Sequence, residues 1–140
     1  MAKIEFKGGL YMNSNGPCLT AEIIEALAIA GAKKVKDGQN AKAGLMVTKA
    51  ADLGYEGPRT ADELWEDENF RLVVGVKVGK NRVMRTRPIF RNWSAVVEVE
   101  YEDTMANESR VVEWFQRAGR EVGACDWRPK HGRFTVEQVA

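Results

Sequence analysis

Ser94-Ala-Val-Val-Glu-Val-Glu-Tyr-Glu102 alternates apolar and polar residues, and Asn107-Glu-Ser-Arg-Val-Val-Glu-Trp-Phe-Gln-Arg-Ala118 then repeats its apolar residues at helical spacing. A period of two predicts a strand with Ala95, Val97, Val99 and Tyr101 on a buried face. The change to Val111, Val112, Trp114, Phe115 and Ala118 predicts an amphipathic helix, capped by Asn107 and ending near Gly119. Downstream, Phe134-Thr-Val-Glu-Gln-Val139 alternates again and reads as a closing strand. This half of the chain is therefore strand, helix, strand.

The upstream half has the same order. Ile4-Glu-Phe6 predicts a short strand, broken or bulged at Gly8-Gly9, and Asn13 to Pro17 reads as a loop. Ile23, Ile24, Leu27, Ala28 and Ala30 recur at helical spacing over Ala21 to Lys34, with Thr20 as N-cap and Lys33-Lys34 at the negative C-terminal end. Lys36 to Asn40 turns the chain, and Gly44-Leu-Met-Val-Thr48 predicts a buried strand. Two such units in series are the split βαβ order of a ferredoxin-like α+β domain: an antiparallel sheet with both helices on one face. The rival is another α+β meander in which an inserted hairpin joins the main sheet.

Residues 50 to 92 interrupt that order with charge in blocks, and are read as an insertion into a single domain spanning residues 1 to 140. Thr60-Ala-Asp-Glu63 is a capping box for a short helix through Trp65. Arg71 to Val78 and Arg82 to Phe90 predict two strands joined by Gly79-Lys80-Asn81, a hairpin with a turn longer than two residues. Burial is expected for Ile23, Leu27, Val97, Val99, Val111 and Phe115.

Composition excludes more than it selects. The 21 Lys and Arg against 20 Asp and Glu leave a formal charge of +1, so attraction to a polyanion must be local. Cys18 and Cys125 are too few for a disulfide framework, and with His131 as the one histidine they give no metal-ligand spacing; no metal or cofactor is expected. Reduced thiols, the absence of a signal-peptide layout and of a long apolar run predict a cytoplasmic chain with no membrane contact. Neither a Walker loop nor Gly-x-Gly-x-x-Gly occurs, and His131 has no nucleophile motif beside it, so an enzyme is not expected.

The local charge signal is the hairpin. Lys77, Lys80, Arg82, Arg85, Arg87 and Arg91 fall in a stretch with no acidic residue. Guanidinium forks match phosphate oxygens, so this reads as a nucleic-acid backbone arm. Alternatively, the cations pair with Glu56, Asp62, Glu63, Glu66, Asp67 and Glu68. Strand alternation places Arg85 and Arg87 on one face and Arg82 on the other. A second constellation runs from Arg120 to Arg133, where Gly123 and Gly132 flank Trp127, Arg128, Lys130 and Arg133. Cations there neutralise phosphate and Trp127 offers a stacking platform; in the bland reading Trp127 plugs the domain edge and Asp126 caps backbone amides.

Gly8-Gly-Leu-Tyr11, Gly57-Pro-Arg59 before Glu63-Leu-Trp65, Arg85-Thr-Arg-Pro-Ile-Phe90 with Trp93, Ala118-Gly119, Asp126-Trp-Arg-Pro129 and Gly132-Arg-Phe134 together resemble an uncharacterised family of phage and prophage proteins. Longer members have an extra N-terminal strand region and Pro-Gly where this chain has Leu19-Thr20, so the sequence resembles a short variant. That family in turn resembles, distantly, the RAMP-type subunits of CRISPR effector complexes. The resemblance implies a ferredoxin-like core with an inserted hairpin and a loop at Gly119 to Gly132, binding of RNA along its backbone, and self-association. The resulting expectation is a non-enzymatic, oligomeric protein that binds single-stranded RNA or DNA. The alternative is a phage protein that inhibits a host defence protein complex or self-assembles without nucleic acid.

Overall fold

The computed structural model describes Lys3, Phe6, residues 10–124 and residues 133–138. Its elements run β1 (Met12–Asn13), β2 (Gly16–Leu19), α1 (Ala21–Lys33), α2 (Gly38–Gly44), β3 (Leu45–Met46), β4 (Ala51–Asp52), α3 (Ala61–Glu66), a 3-10 turn (Glu68–Phe70), β5 (Arg71–Val78), β6 (Asn81–Pro88), β7 (Glu100–Tyr101), α4 (Glu108–Arg117) and a π-helical turn (Ala118–Val122). The fold is α+β. Its described strands form three small sheets, ordered β1-β2-β4, β3-β7 and β5-β6. The residues divide into two compact units: one takes the chain to Cys18 and Asp52–Ala95, the other Leu19–Ala51 and the chain from Val96. No described helix is long and apolar enough to cross a membrane.

In the second unit the helix signals act as expected. The Thr20 hydroxyl accepts from Ile23 N–H at 3.2 Å and the Asn107 side chain accepts from Arg110 N–H at 2.9 Å, each satisfying a donor that the first helical turn leaves open. α1 and α4 then pack on each other through the buried Ala28, Ala32, Val111 and Trp114, joined by Ala41, Leu45 and Ala106. Gly31 sits where the helices cross: a Cβ there would stand 1.9 Å from the Trp114 carbonyl oxygen, so only glycine permits this approach. Trp114, fully buried, is the largest side chain of this core. Its indole N–H donates to the Asp37 carboxylate at 3.2 Å, and Arg110 donates to the same carboxylate through Nε at 3.1 Å and through Nη2. Burial pushes the Asp37 carboxyl upward, but the hydrogen bonds from Arg110, Trp114 and Asn40 and the Arg110 charge outweigh it and hold the group below its ordinary value.

Several expectations are corrected here. Leu27 and Val111 are buried and Ile23, Val99 and Phe115 half-buried, but Val97 is 36% exposed and Val96 73%. The alternating stretch forms no continuous strand because the chain changes units inside it. Ser94 pairs with Gly54 in the first unit, whereas Glu100–Tyr101 pairs antiparallel with Leu45–Met46 in the second. Gly38–Gly44, expected as a turn and the start of a strand, is helical, which leaves β3 two residues long. Residues 133–138 form no strand; Phe134 packs against Leu27 and Ala118, and its N–H donates to the Gly119 carbonyl at 3.1 Å, so that group is not offered to a ladder. Ile4, Glu5 and Val139 lie outside the described residues; Phe6 is buried and helical, not part of the expected strand.

The first unit holds β1 and β2, which pair antiparallel across Ser14 and Asn15, so the expected loop at Asn13 to Pro17 is a tight hairpin. The Asp52 carboxylate accepts from Asn13 Nδ2 at 2.5 Å and from Asn15 Nδ2 at 3.1 Å. Thr60 caps α3, its hydroxyl accepting from Glu63 N–H at 3.3 Å and meeting the Glu63 carboxylate at 3.0 Å. Beside it, Tyr55, Phe70 and Phe90 form an aromatic cluster with ring centroids 4.8 to 5.8 Å apart. Arg59 lies 4.1 Å above the Tyr55 ring and donates to the carbonyls of Leu53 at 2.6 Å and Tyr55 at 2.9 Å. That cluster roots the hairpin, because the Ile89 N–H at the end of β6 donates to Phe70 O at 3.0 Å.

Candidate nucleic-acid interface

The register of β5 and β6 decides where each cation points. Pairing is antiparallel and unbroken from Arg71↔Pro88 to Val78↔Asn81, which leaves Gly79 and Lys80 as a two-residue turn rather than the longer one expected. Gly79 has φ +61°, the left-handed conformation that a hairpin turn of right-twisted strands requires. Without a bulge the alternation holds. Lys77 and Arg82 stand directly opposite on one face, and Arg85 and Arg87 belong to the other, opposite Val74 and Leu72.

The Lys77 and Arg82 face is open toward the turn, whereas at its root Thr86, opposite Val73, is buried and Arg71 lies over the Trp65 ring. Lys77 and Arg82 are exposed, as is Lys80 in the turn, and Val73 and Met84 on the same face are 54% and 60% exposed. Arg82 leans along the strand pair, its Nε 2.6 Å from the point where a Cβ on Gly75 would stand. The result is two exposed apolar side chains beside three cations. Sequence reasoning missed Val73 and Met84; the available signal was the run Leu72-Val73-Val74, which lacks the alternation of a strand with one wet polar face.

The remaining candidates are placed differently. Arg85 and Arg87 are half-buried. Arg91, exposed beyond the end of β6, donates through Nη1 to the Asn69 carbonyl, which ties the strand end to the 3-10 turn. Arg71, not a candidate, lies over the Trp65 ring at 5.1 Å. Of the acidic residues proposed as partners, Glu63 meets the Thr60 hydroxyl, Asp67 accepts from Asn69 N–H at 3.0 Å, and Asp62 lies 3.7 Å from Lys3. Arg133 belongs to the other unit and is exposed. Trp127, Arg128 and Lys130 lie outside the described residues, as do Cys125 and His131.

Chemically, the hairpin face is suited to holding an anion. Like charges directly opposite on a strand pair repel, and an oxyanion between Lys77 and Arg82 relieves that repulsion. Among the described residues no three His, Cys, Asp or Glu side chains cluster for a metal. Comparison of the chain with known family models, curated proteins and solved structures gives no match.

Proposed function

We propose that this protein is a non-enzymatic, phage-type binder of single-stranded RNA or DNA that grips the sugar-phosphate backbone through its β5–β6 hairpin and self-associates on its ligand. One observation carries the reading: Lys77, Lys80 and Arg82 meet on an open hairpin face beside the exposed Val73 and Met84. Cations supply counterion release, and the apolar side chains give unstacked bases a surface that duplex DNA does not use. In this reading the second unit is the ferredoxin-like part, supported by the antiparallel β3–β7 pair and by the packing of α1 against α4. The sequence adds Trp127, Arg128, Lys130 and Arg133 to this reading as further candidates for backbone binding.

Fluorescence anisotropy with labelled RNA, single-stranded DNA and duplex DNA over a salt series tests it. Single strands are expected to bind more tightly than duplex, and Lys77→Gln with Arg82→Gln to lower the salt slope by about 0.7 for each lost contact. Absence of single-strand binding by the wild-type protein ends the reading. It would favour the second one, a phage interaction protein that docks on a basic surface of a host defence complex or of another copy, for which the exposed Asp62, Glu63, Glu66 and Glu68 are the supporting observation.

A further inference from the structure

Lys33, Lys36, Gly38, Gln39, Asn40 and Lys42 line a surface depression of about 580 Å³ where α1 turns into α2. All three lysines are exposed. The only acidic residue between Glu25 and Asp52 is Asp37, and it does not line the depression. Its carboxylate is paired with the Arg110 guanidinium and accepts hydrogen bonds from Trp114 and Asn40. The one local group able to cancel the lysine field is thus taken out of it.

Two details shape the site. Lys36 is the one described residue other than glycine with positive φ, at 64°, which turns the chain sharply between two lysine-bearing helices. The Lys33 stem crosses Gly38, its Cγ 2.8 Å from the point where a Cβ on Gly38 would stand, so this cation is laid along the depression. Gln39 adds a neutral amide, while the Asn40 side chain is hydrogen-bonded to Asp37. Three ammonium groups and the Gln39 amide around a concave surface are the recognition chemistry of phosphate oxygens.

We infer that this depression is a second phosphate subsite for the backbone of a single-stranded nucleic acid; the inference rests on the proposed function and adds a surface to it. The test is a titration followed by amide NMR of the whole chain, with a twelve-residue oligothymidylate and, separately, with tripolyphosphate. The Gly38 amide and the Gln39 and Asn40 side-chain amides report the depression, and Gly79 reports the hairpin. Both ligands are expected to shift the depression signals. The combined Lys33→Gln, Lys36→Gln and Lys42→Gln variant is expected to lose those shifts and to lower the oligonucleotide salt slope by about two, while Lys49→Gln, at a lysine paired with Glu98, leaves both unchanged. Oligothymidylate shifts at Gly79 with none at Gly38 overturn the subsite and leave the proposed function standing. Shifts at Gly38 with tripolyphosphate alone overturn its assignment to a nucleic-acid backbone. Oligothymidylate shifts at neither place remove both readings together.

Discussion

Replacing Asp37 by Ala removes one acceptor from three donors, and the loss divides unequally among them. The Asp37 side chain is 11% exposed, whereas that of Arg110 is 42% exposed and turns to water when its partner is gone. Losing that pair therefore costs at most about 1 kcal/mol. The indole N–H of the fully buried Trp114 has no such escape, and a buried donor left without an acceptor costs about 1 to 3 kcal/mol. The expected destabilisation of the second unit is about 1 to 4 kcal/mol at neutral pH. Asp37→Asn, which keeps one acceptor oxygen, is expected to lose about half of that. Urea unfolding followed by circular dichroism, with hydrogen exchange at the amides of Val111 to Phe115, measures it. The pH dependence has a definite sign. A carboxyl whose folded value is depressed stabilises the fold fully above its unfolded value, near 3.9, and loses that contribution as the pH falls through the folded value. The gap between wild type and Asp37→Ala is thus flat at neutral pH and narrows below about pH 4. An Asp37→Ala protein within about 0.5 kcal/mol of wild type at pH 7 would refute the assignment of Asp37 as the acceptor that Trp114 requires.

Other outcomes are equally specific. Gly31→Ala is expected to destabilise by about 1 to 3 kcal/mol or more, read by urea unfolding, because its Cβ would meet the Trp114 carbonyl at 1.9 Å; unchanged stability would disprove the helix crossing. Arg85→Ala with Arg87→Ala is expected to weaken single-strand binding less than Lys77→Gln with Arg82→Gln, since the former pair is half-buried on the opposite hairpin face; equal losses in anisotropy would count against the open-face geometry. Trp127→Ala is expected to weaken single-strand binding without changing the salt slope, as loss of stacking does. Cys18 is a buried free thiol, held above the ordinary thiol range by burial first and by the Asp52 charge second, so it is expected to resist iodoacetamide at neutral pH in the folded protein and to label on unfolding; rapid labelling of the native chain, read by mass, would overturn this.

Local chemistry was legible in the sequence wherever a residue type has one dominant use. Thr20, Thr60 and Asn107 each cap the helix they announce, because a short oxygen-bearing side chain before an apolar run answers the open amides of a first turn. The hairpin was legible for the same reason, with Gly79 marking its turn. The stretch Ser94 to Glu102 misled because alternation records which residues share a face and says nothing about whether a partner strand runs alongside. Its ends pair with different strands in different units, and Val96 and Val97 are left exposed between them. Gly38-Gln-Asn40 misled because Gly and Asn favour turns locally, and the burial of Ala41 and Gly44 against the second unit overrode that preference. At the site, the cations were visible as a run. The lysines around the depression were read as a helix end followed by a turn, because nothing in sequence shows that Asp37 pairs with Arg110.

The division into units has a consequence for biosynthesis. The chain passes from one unit to the other between Cys18 and Leu19, between Ala51 and Asp52, and between Ala95 and Val96. Neither unit is therefore a continuous stretch that finishes as it leaves the ribosome. The first cannot close until Ala95 has emerged, and α1, complete early in translation, must wait for α4 before Gly31 and Trp114 meet. During that interval the part of the α1 face that α4 covers, Gly31 and its neighbours Ala28 and Ala32, lacks Val111 and Trp114, which makes it a segment in need of chaperone cover. A circular permutant that joins α4 directly ahead of α1 would shorten the wait, and its yield of native protein would report how much of the folding problem lies in the order of synthesis.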